Sequence, residues 1–432
     1  MNLKKFNNFT ITFPLYFFVF LSIFYISTAE YLPRINPIIL KTRFAEDDAF
    51  ILSGIKFSEE EGLSSYGGMI VGFSPGNEYT SDSINKNLYE KTLEINRDYL
   101  NGNYDNAYYS KFDLFTYSRE SGVYSRFLPF IVDKLNIFNI SRSLFVENMY
   151  LIISILCFMY ILQKVKNSFG TFSFIIFFFF HIFCYFFILN IKAYSMPYFV
   201  NIIPLLAGLN YERFPNKNSS KVFYFSIIFL LTFLMNVHSG IVLILSFLTG
   251  VYIKGKKNIF KNFLKKNLKL LIISNFLAFG LSQFLVISQN ILFNNYTLRE
   301  GINNQLFGYL KRTRDNSIPG TCSDGSYADV FIEYFYLKIY DFLLFEIKIY
   351  HLILLTLILL LVSLSYKEED NIYFGKFTLY SIFGTFLMLA FFKGHSLCHT
   401  HMQPKIFLYS FIPNFSILVT SSLVTIFKKL KN

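Results

Sequence analysis

Long apolar runs separated by short polar segments dominate the chain. By length and periodicity they predict about ten membrane spans, since a crossing of the roughly 30 Å hydrocarbon core takes about 20 residues. The spans run from about Thr10 to Ala29, Asn148 to Gln163, Thr171 to Ile191, Met196 to Leu209 and Val222 to Met235. They continue from about Gly240 to Ile253, Leu268 to Gln289, Tyr350 to Leu364, Phe377 to Phe392 and Ile406 to Ile426. Several are shorter than a full crossing, and Pro197 and Pro204 break the fourth. Such helices are tolerated where they line protein rather than lipid. The first run resembles a signal peptide, with Lys4-Lys5 ahead of it and Ser27-Thr28-Ala29 behind. Because the rest of the chain is polytopic, it is read as an uncleaved first helix.

Polar segments between the runs divide by charge. With Lys4 and Lys5 in the cytoplasm, Lys164, Lys166, Arg213, Lys217 and Lys221 fall inside. So do the cluster Lys254 to Lys269, then Lys367, Lys376 and the tail Lys428-Lys429-Leu430-Lys431. Short outer segments carry far fewer cations, as the positive-inside rule requires. The expected fold is therefore an all-α polytopic membrane protein with both termini cytoplasmic. Residues 1–432 form a single membrane-embedded domain, and outer segments cover about 30–147, 290–349 and 393–405. The large first outer segment reads as structured and bears interfacial helices. One spans Ala49 to Glu61 and stops at Gly62; a second lies within Thr116 to Ile140.

Composition agrees. The chain is 53% hydrophobic and 16% charged, against roughly a quarter charged in soluble proteins. Its net charge of +12 follows membrane topology and does not indicate nucleic acid. Cys157 and Cys184 lie in apolar runs, whereas Cys322 and Cys398 could pair if both face an oxidising space.

Candidate chemistry concentrates outside. Glu46-Asp47-Asp48 follows the first span. A carboxylate there can serve as a general base or hold a divalent cation through its oxygens. It can equally cap the helix that begins at Ala49. Arg119 and Arg126 lie two helical turns apart, and Arg299, Lys311, Arg312 and Arg314 follow in the second outer segment. Guanidinium forks suit phosphate, or these groups simply anchor head groups. His238 sits in an outer turn, and His395, His399 and His401 crowd the third segment. His395 and His399 would share a helix face, but no His-Glu-x-x-His pattern or neighbouring acid completes a metal site, so none is assigned. Hydrogen bonding to a phosphate or sugar suits them better than metal binding, or they are polar interface residues with no role. His181 and His351 read as packing or boundary residues. No P-loop, dinucleotide fingerprint or nucleophile elbow occurs in the right context.

At these residues the chain resembles the GT-C superfamily of polytopic membrane glycosyltransferases, which use polyprenyl-phosphate sugars. Asp47-Asp48-Ala49-Phe50 is similar to that family's acidic pair in the first outer loop. Gly62-Leu63-x-x-Tyr66-x-Gly68 and Gly72-Phe73-Ser74 are similar to the glycine-rich continuation in some bacterial members. Tyr117-Ser118-x-x-x-Gly122 and His395-Ser396-x-x-His399 are weaker echoes. The resemblance implies that Asp47 or Asp48 activates the acceptor. It implies that outer Arg, Lys or His residues hold the carrier phosphate, and that transfer occurs on the outer face with inversion. The implied partners are a lipid-linked sugar donor, a glycan, lipid or protein acceptor, and membrane lipids. No cofactor is assigned beyond an optional divalent cation. Two other readings stay open. One is an O-antigen polymerase or ligase that depends on outer arginines. The other is a transporter, although the chain shows neither repeated halves nor a run of acids within spans.

Overall fold

The computed structural model describes residues 71–72, 115–116, 123–124, 142–182, 184, 198–235, 240–293, 296–313, 326–342, 345–393, 396 and 411–431. These form eleven α-helices and four short strands. In chain order the helices are α1 (Arg142–Phe169), α2 (Thr171–Ile182), α3 (Tyr198–Asn201), α4 (Ile203–Leu209), α5 (Asn218–Phe233) and α6 (Gly240–Phe293). Then come α7 (Leu298–Thr313), α8 (Tyr327–Phe335), α9 (Ile349–Ser365), α10 (Glu369–Phe391) and α11 (Phe411–Lys431). The strands β1 (Val71–Gly72) and β2 (Phe115–Thr116) pair antiparallel, as do β3 (Lys338–Phe342) and β4 (Phe345–Lys348).

The protein is a helical membrane protein. Among the described residues, three helical stretches are long and apolar enough to cross a bilayer: Met149–Phe169, Lys257–Leu292 and Glu369–Phe391. Shorter apolar helices are Thr171–His181, Asn218–Phe233, Val242–Gly255, Ile349–Ser365 and Phe411–Phe427. The expected first span and the proposed interfacial helix at 49–61 lie outside the described residues. Thr116, the first residue of the stretch expected to contain the second interfacial helix, pairs with Val71 in a strand, and most of the rest of that stretch lies outside the described residues.

Local sequence explains several boundaries. Gly170 takes a φ of 89°, which an L side chain resists, and lets α2 start one residue after α1 ends. The two helices then fold together, with Phe158 and Phe177 rings 6.4 Å apart. Pro197 precedes α3, and Pro204 sits in the first turn of α4, where its missing N–H costs nothing. The fourth predicted span is therefore two short helices.

The helix α6 contains 54 residues and runs unbroken through the lysine cluster expected to be a loop. It is nevertheless not a rod. The Asn275 amide donates to Gly240 O at 3.3 Å, and the Phe247 and Phe263 rings lie 5.9 Å apart. In a straight helix Gly240 and Asn275 would be about 50 Å apart at 1.5 Å per residue. The chain therefore reverses near Gly255, and the two arms correspond to the sixth and seventh expected spans.

Side-chain contacts collect the lysine-rich ends into one end of the bundle. Tyr160 donates to Asn210 Oδ1 at 2.6 Å, joining the last turns of α1 to the end of α4. Lys254 pairs with Glu212 at 3.6 Å, and Lys257 pairs with Glu369. Tyr252 donates to Asp370 O at 3.2 Å, and Phe169 meets Phe374 at 5.5 Å. Ends of α1, α4 and α10 thus surround the reversal of α6. This is the grouping that charge alternation predicts.

Two glycines set the tightest crossing. A Cβ on Gly208 would collide with Phe247 O, and one on Gly250 with Leu205 O. The backbones of α4 and α6 touch there, as small residues permit in membranes. Elsewhere the interior is rich in hydroxyls. Thr356, Ser363, Thr378, Thr385, Ser416 and Thr420 each donate to the carbonyl four residues back at 2.7–2.8 Å. Each hydroxyl is satisfied within its own helix. Asn414 Nδ2 reaches across to Thr249 Oγ1 at 2.9 Å.

Candidate functional site

Away from the lysines, the other end of the bundle carries the termini of α1, α3, α5, α6 and α10. The first long polar segment seats here through Tyr124. Its hydroxyl donates to Leu231 O at 3.0 Å near the end of α5. Tyr150, in the third turn of α1, donates in turn to Tyr124 O. Phe199 of α3 lies against both rings, 6.2 Å from Tyr124 and 5.4 Å from Tyr150. Burial pushes the Tyr124 phenol up to about 12, so it stays protonated as a donor.

Just upstream of Tyr124, β2 pairs with β1, setting Gly72 against Phe115 and Val71 against Thr116. This joins two sequence features 43 residues apart: the Gly72-Phe73-Ser74 element and the Tyr117-Ser118 element begin at this ladder. The glycine-rich continuation and its weaker echo therefore leave one point on the fold.

Two further connections leave neighbouring points. Gly240, at the start of α6, abuts the side chain of Met388 near the end of α10. The segment 236–239 before Gly240 contains His238, and the segment after α10 contains His395. Between Met388 and His395 lies Lys393, only 4% exposed, with its ammonium 5.0 Å from the Tyr327 ring centroid. Ser396 closes this turn by donating to Leu389 O at 2.9 Å. The helix α8 braces it from outside: Tyr334 donates to Ile382 O at 2.8 Å, and Phe331 and Phe335 pack on Phe386.

The segment 290–349 contains the helices α7 and α8 and the β3–β4 hairpin among its described residues. A Thr297–Glu300 capping box starts α7: Glu300 N–H donates to Thr297 Oγ1 at 3.2 Å, and Thr297 N–H donates to Glu300 Oε2 at 2.7 Å. Arg299 is exposed in this fixed first turn, and Arg312 lies on the same helix. Their backbone positions are about 20 Å apart along the axis.

Asp47, Asp48, Arg119, Arg126, His238, His395 and His399 lie outside the described residues, as do Cys322 and Cys398. Sequence reasoning missed the burial of Lys393 and its aromatic partner. The signal available was a cation directly after a span, followed by Gly394 and a histidine. His181 is a packing residue, buried with Nδ1 2.8 Å from Phe177 O. His351 is a boundary residue, its Nδ1 accepting from Lys348 N–H at 3.1 Å at the start of α9. Among the described residues no cluster of His, Cys, Asp and Glu could hold a metal. No family model, curated protein or solved structure matches the chain.

Proposed function

We propose that the protein is a membrane glycosyltransferase that moves a sugar from a polyprenyl-phosphate carrier to an acceptor hydroxyl. In this reading about ten spans cross a bacterial inner membrane, with the lysine-rich end and both termini in the cytoplasm. Chemistry takes place at the opposite end. Asp47 or Asp48 takes the proton of the acceptor hydroxyl as its oxygen attacks the anomeric carbon. The bond from that carbon to the carrier phosphate breaks, and the configuration inverts. Outer cations (Arg119, Arg126, Arg299, Arg312) and His238, His395 and His399 neutralise the departing phosphate. A divalent cation held by the acidic pair is compatible with this chemistry.

The observation supporting this reading is convergence. The segment following the acidic pair, the turn bearing His238 and the connection bearing His395 all adjoin described residues at one end of the bundle: Tyr124 with Leu231, and Gly240 with Met388. Loss of a positioned general base typically costs about 10²–10⁴ in rate. Replacing both Asp47 and Asp48 with Asn in the native host is therefore expected to abolish the mature glycoconjugate on a gel at normal protein level. Unchanged migration overturns the assignment.

A second reading draws on α7. A polymerase or ligase of the O-antigen type would depend on outer arginines, and α7, a capped helix against α6, exposes Arg299 and includes Arg312 in its last turn. If Arg312→Gln and Arg314→Gln abolish the product while the double Asp variant keeps it, that reading replaces the first.

A further inference from the structure

Beyond its reversal, the second arm of α6 has two sharply different faces. Phe260, Phe263, Asn267, Leu271, Ser274 and Ala278 are buried along one line at helical spacing. On the opposite face Lys265, Lys266 and Lys269 are exposed, one turn beyond Lys261. Directly after Lys269 this face becomes apolar and stays exposed: Ile272, Ile273, Phe276, Leu277 and Phe284 are 39–73% accessible. No charged residue follows until Arg299. The 24 helical residues from Leu270 to Phe293 span about 36 Å, which covers the roughly 30 Å hydrocarbon core with a modest tilt. Lys269 therefore sits where acyl chains give way to head groups.

Several of the other lysines at this end are engaged. Lys254 pairs with Glu212, Lys257 pairs with Glu369, and Lys261 lies 5.3 Å over the Tyr373 ring. Lys221 donates to Asn267 at 3.0 Å. Lys265, Lys266 and Lys269 have no carboxylate within ion-pair distance among the described residues. Three cations on adjacent turns, at the foot of an exposed apolar stripe, match a ligand with a phosphate head and acyl tails. A soluble anion would use the lysines and leave the stripe idle.

We propose that Lys265, Lys266 and Lys269 form a docking site for anionic phospholipid, the phosphate held by the lysines and the acyl chains lying along Ile272, Ile273 and Phe276. The site fixes the depth and tilt of the α6 hairpin. It is independent of the catalytic reading, because it lies at the other end of the bundle and its test involves no turnover.

The test uses the full-length protein in nanodiscs of mixed phosphatidylglycerol and phosphatidylcholine. Spin-labelled phosphatidylglycerol and phosphatidylcholine report the lipid retained at the protein surface. The wild type is expected to prefer phosphatidylglycerol several-fold, and the preference should fall as salt rises from 0.05 to about 0.5 M, because screening weakens exposed charge pairs. K265Q/K266Q/K269Q is expected to lose most of that preference, whereas K265R/K266R/K269R keeps it. A glutamine variant with unchanged preference overturns the proposal. If that variant does not fold, a salt-independent preference in the wild type overturns it equally.

Discussion

Gly208 and Gly250 are the residues on which the packing of α4 against α6 depends most directly. The obstacle to a side chain at either position is backbone, not a mobile side chain. Gly208→Ala or Gly250→Ala must therefore push the two helices apart, at a cost of about 1–3 kcal/mol each. The loss should be read as a lower midpoint in thermal unfolding in detergent, followed by a thiol-reactive dye that reports exposure of the buried Cys184. Gly280, exposed to open space on the same helix, is the control: Gly280→Ala should leave the midpoint unchanged or raise it slightly. At this scale the sequence was partly legible. Pro197 and Pro204 announced their breaks because proline acts on its own backbone. The two helix-contact glycines did not, because a close approach belongs to a partner helix more than 30 residues away in the chain. Lys393 was hidden for a similar reason: its burial depends on Tyr327, 66 residues earlier.

Among the elements, α8 depends visibly on one cap. Ser326 Oγ accepts from Asp329 N–H at 3.3 Å, and the Asp329 carboxylate accepts from Ser326 N–H at 2.5 Å. Ser326→Ala should raise the opening of α8 about fivefold, the usual effect of a lost N-cap, seen as faster amide exchange over 327–335. The hydrogen bonds from the Ser326 backbone and hydroxyl hold the Asp329 carboxyl below its ordinary value of 3.8. With a depressed folded value, the cap contributes fully above pH 3.8 and weakens as pH falls through the lower folded value. Exchange in α8 should therefore be insensitive to pH-driven opening near neutrality and rise only in acid. Long apolar helices were legible from periodicity alone, since 15 or more residues carry many turns of signal. The strands were not: β1 and β2 are two residues each, too short for any alternation to register. The β3–β4 hairpin does alternate, but it sits beside a span, and its Lys338–Glu346 pair at 3.0 Å is visible only after folding. The reversal inside α6 falls where the charge pattern puts the connection between the sixth and seventh expected spans.

For the whole molecule, charge polarity organises everything else. Cations and their few carboxylate partners gather where α1, α4, α6 and α10 meet, and Tyr124, Gly240, Met388 and Lys393 mark the other end. The candidate site itself was legible only as residue types in the segments between spans, and most of those residues lie outside the described ones. The account places Asp48 and Lys265 on opposite faces of the membrane, and single-cysteine labelling tests this directly. With Cys157, Cys184, Cys322 and Cys398 replaced by Ser, Asp48→Cys should react in intact cells with a membrane-impermeant maleimide, whereas Lys265→Cys should react only after permeabilisation. Labelling of both in intact cells, or of Lys265→Cys alone, would contradict the two-ended arrangement on which the proposed function rests.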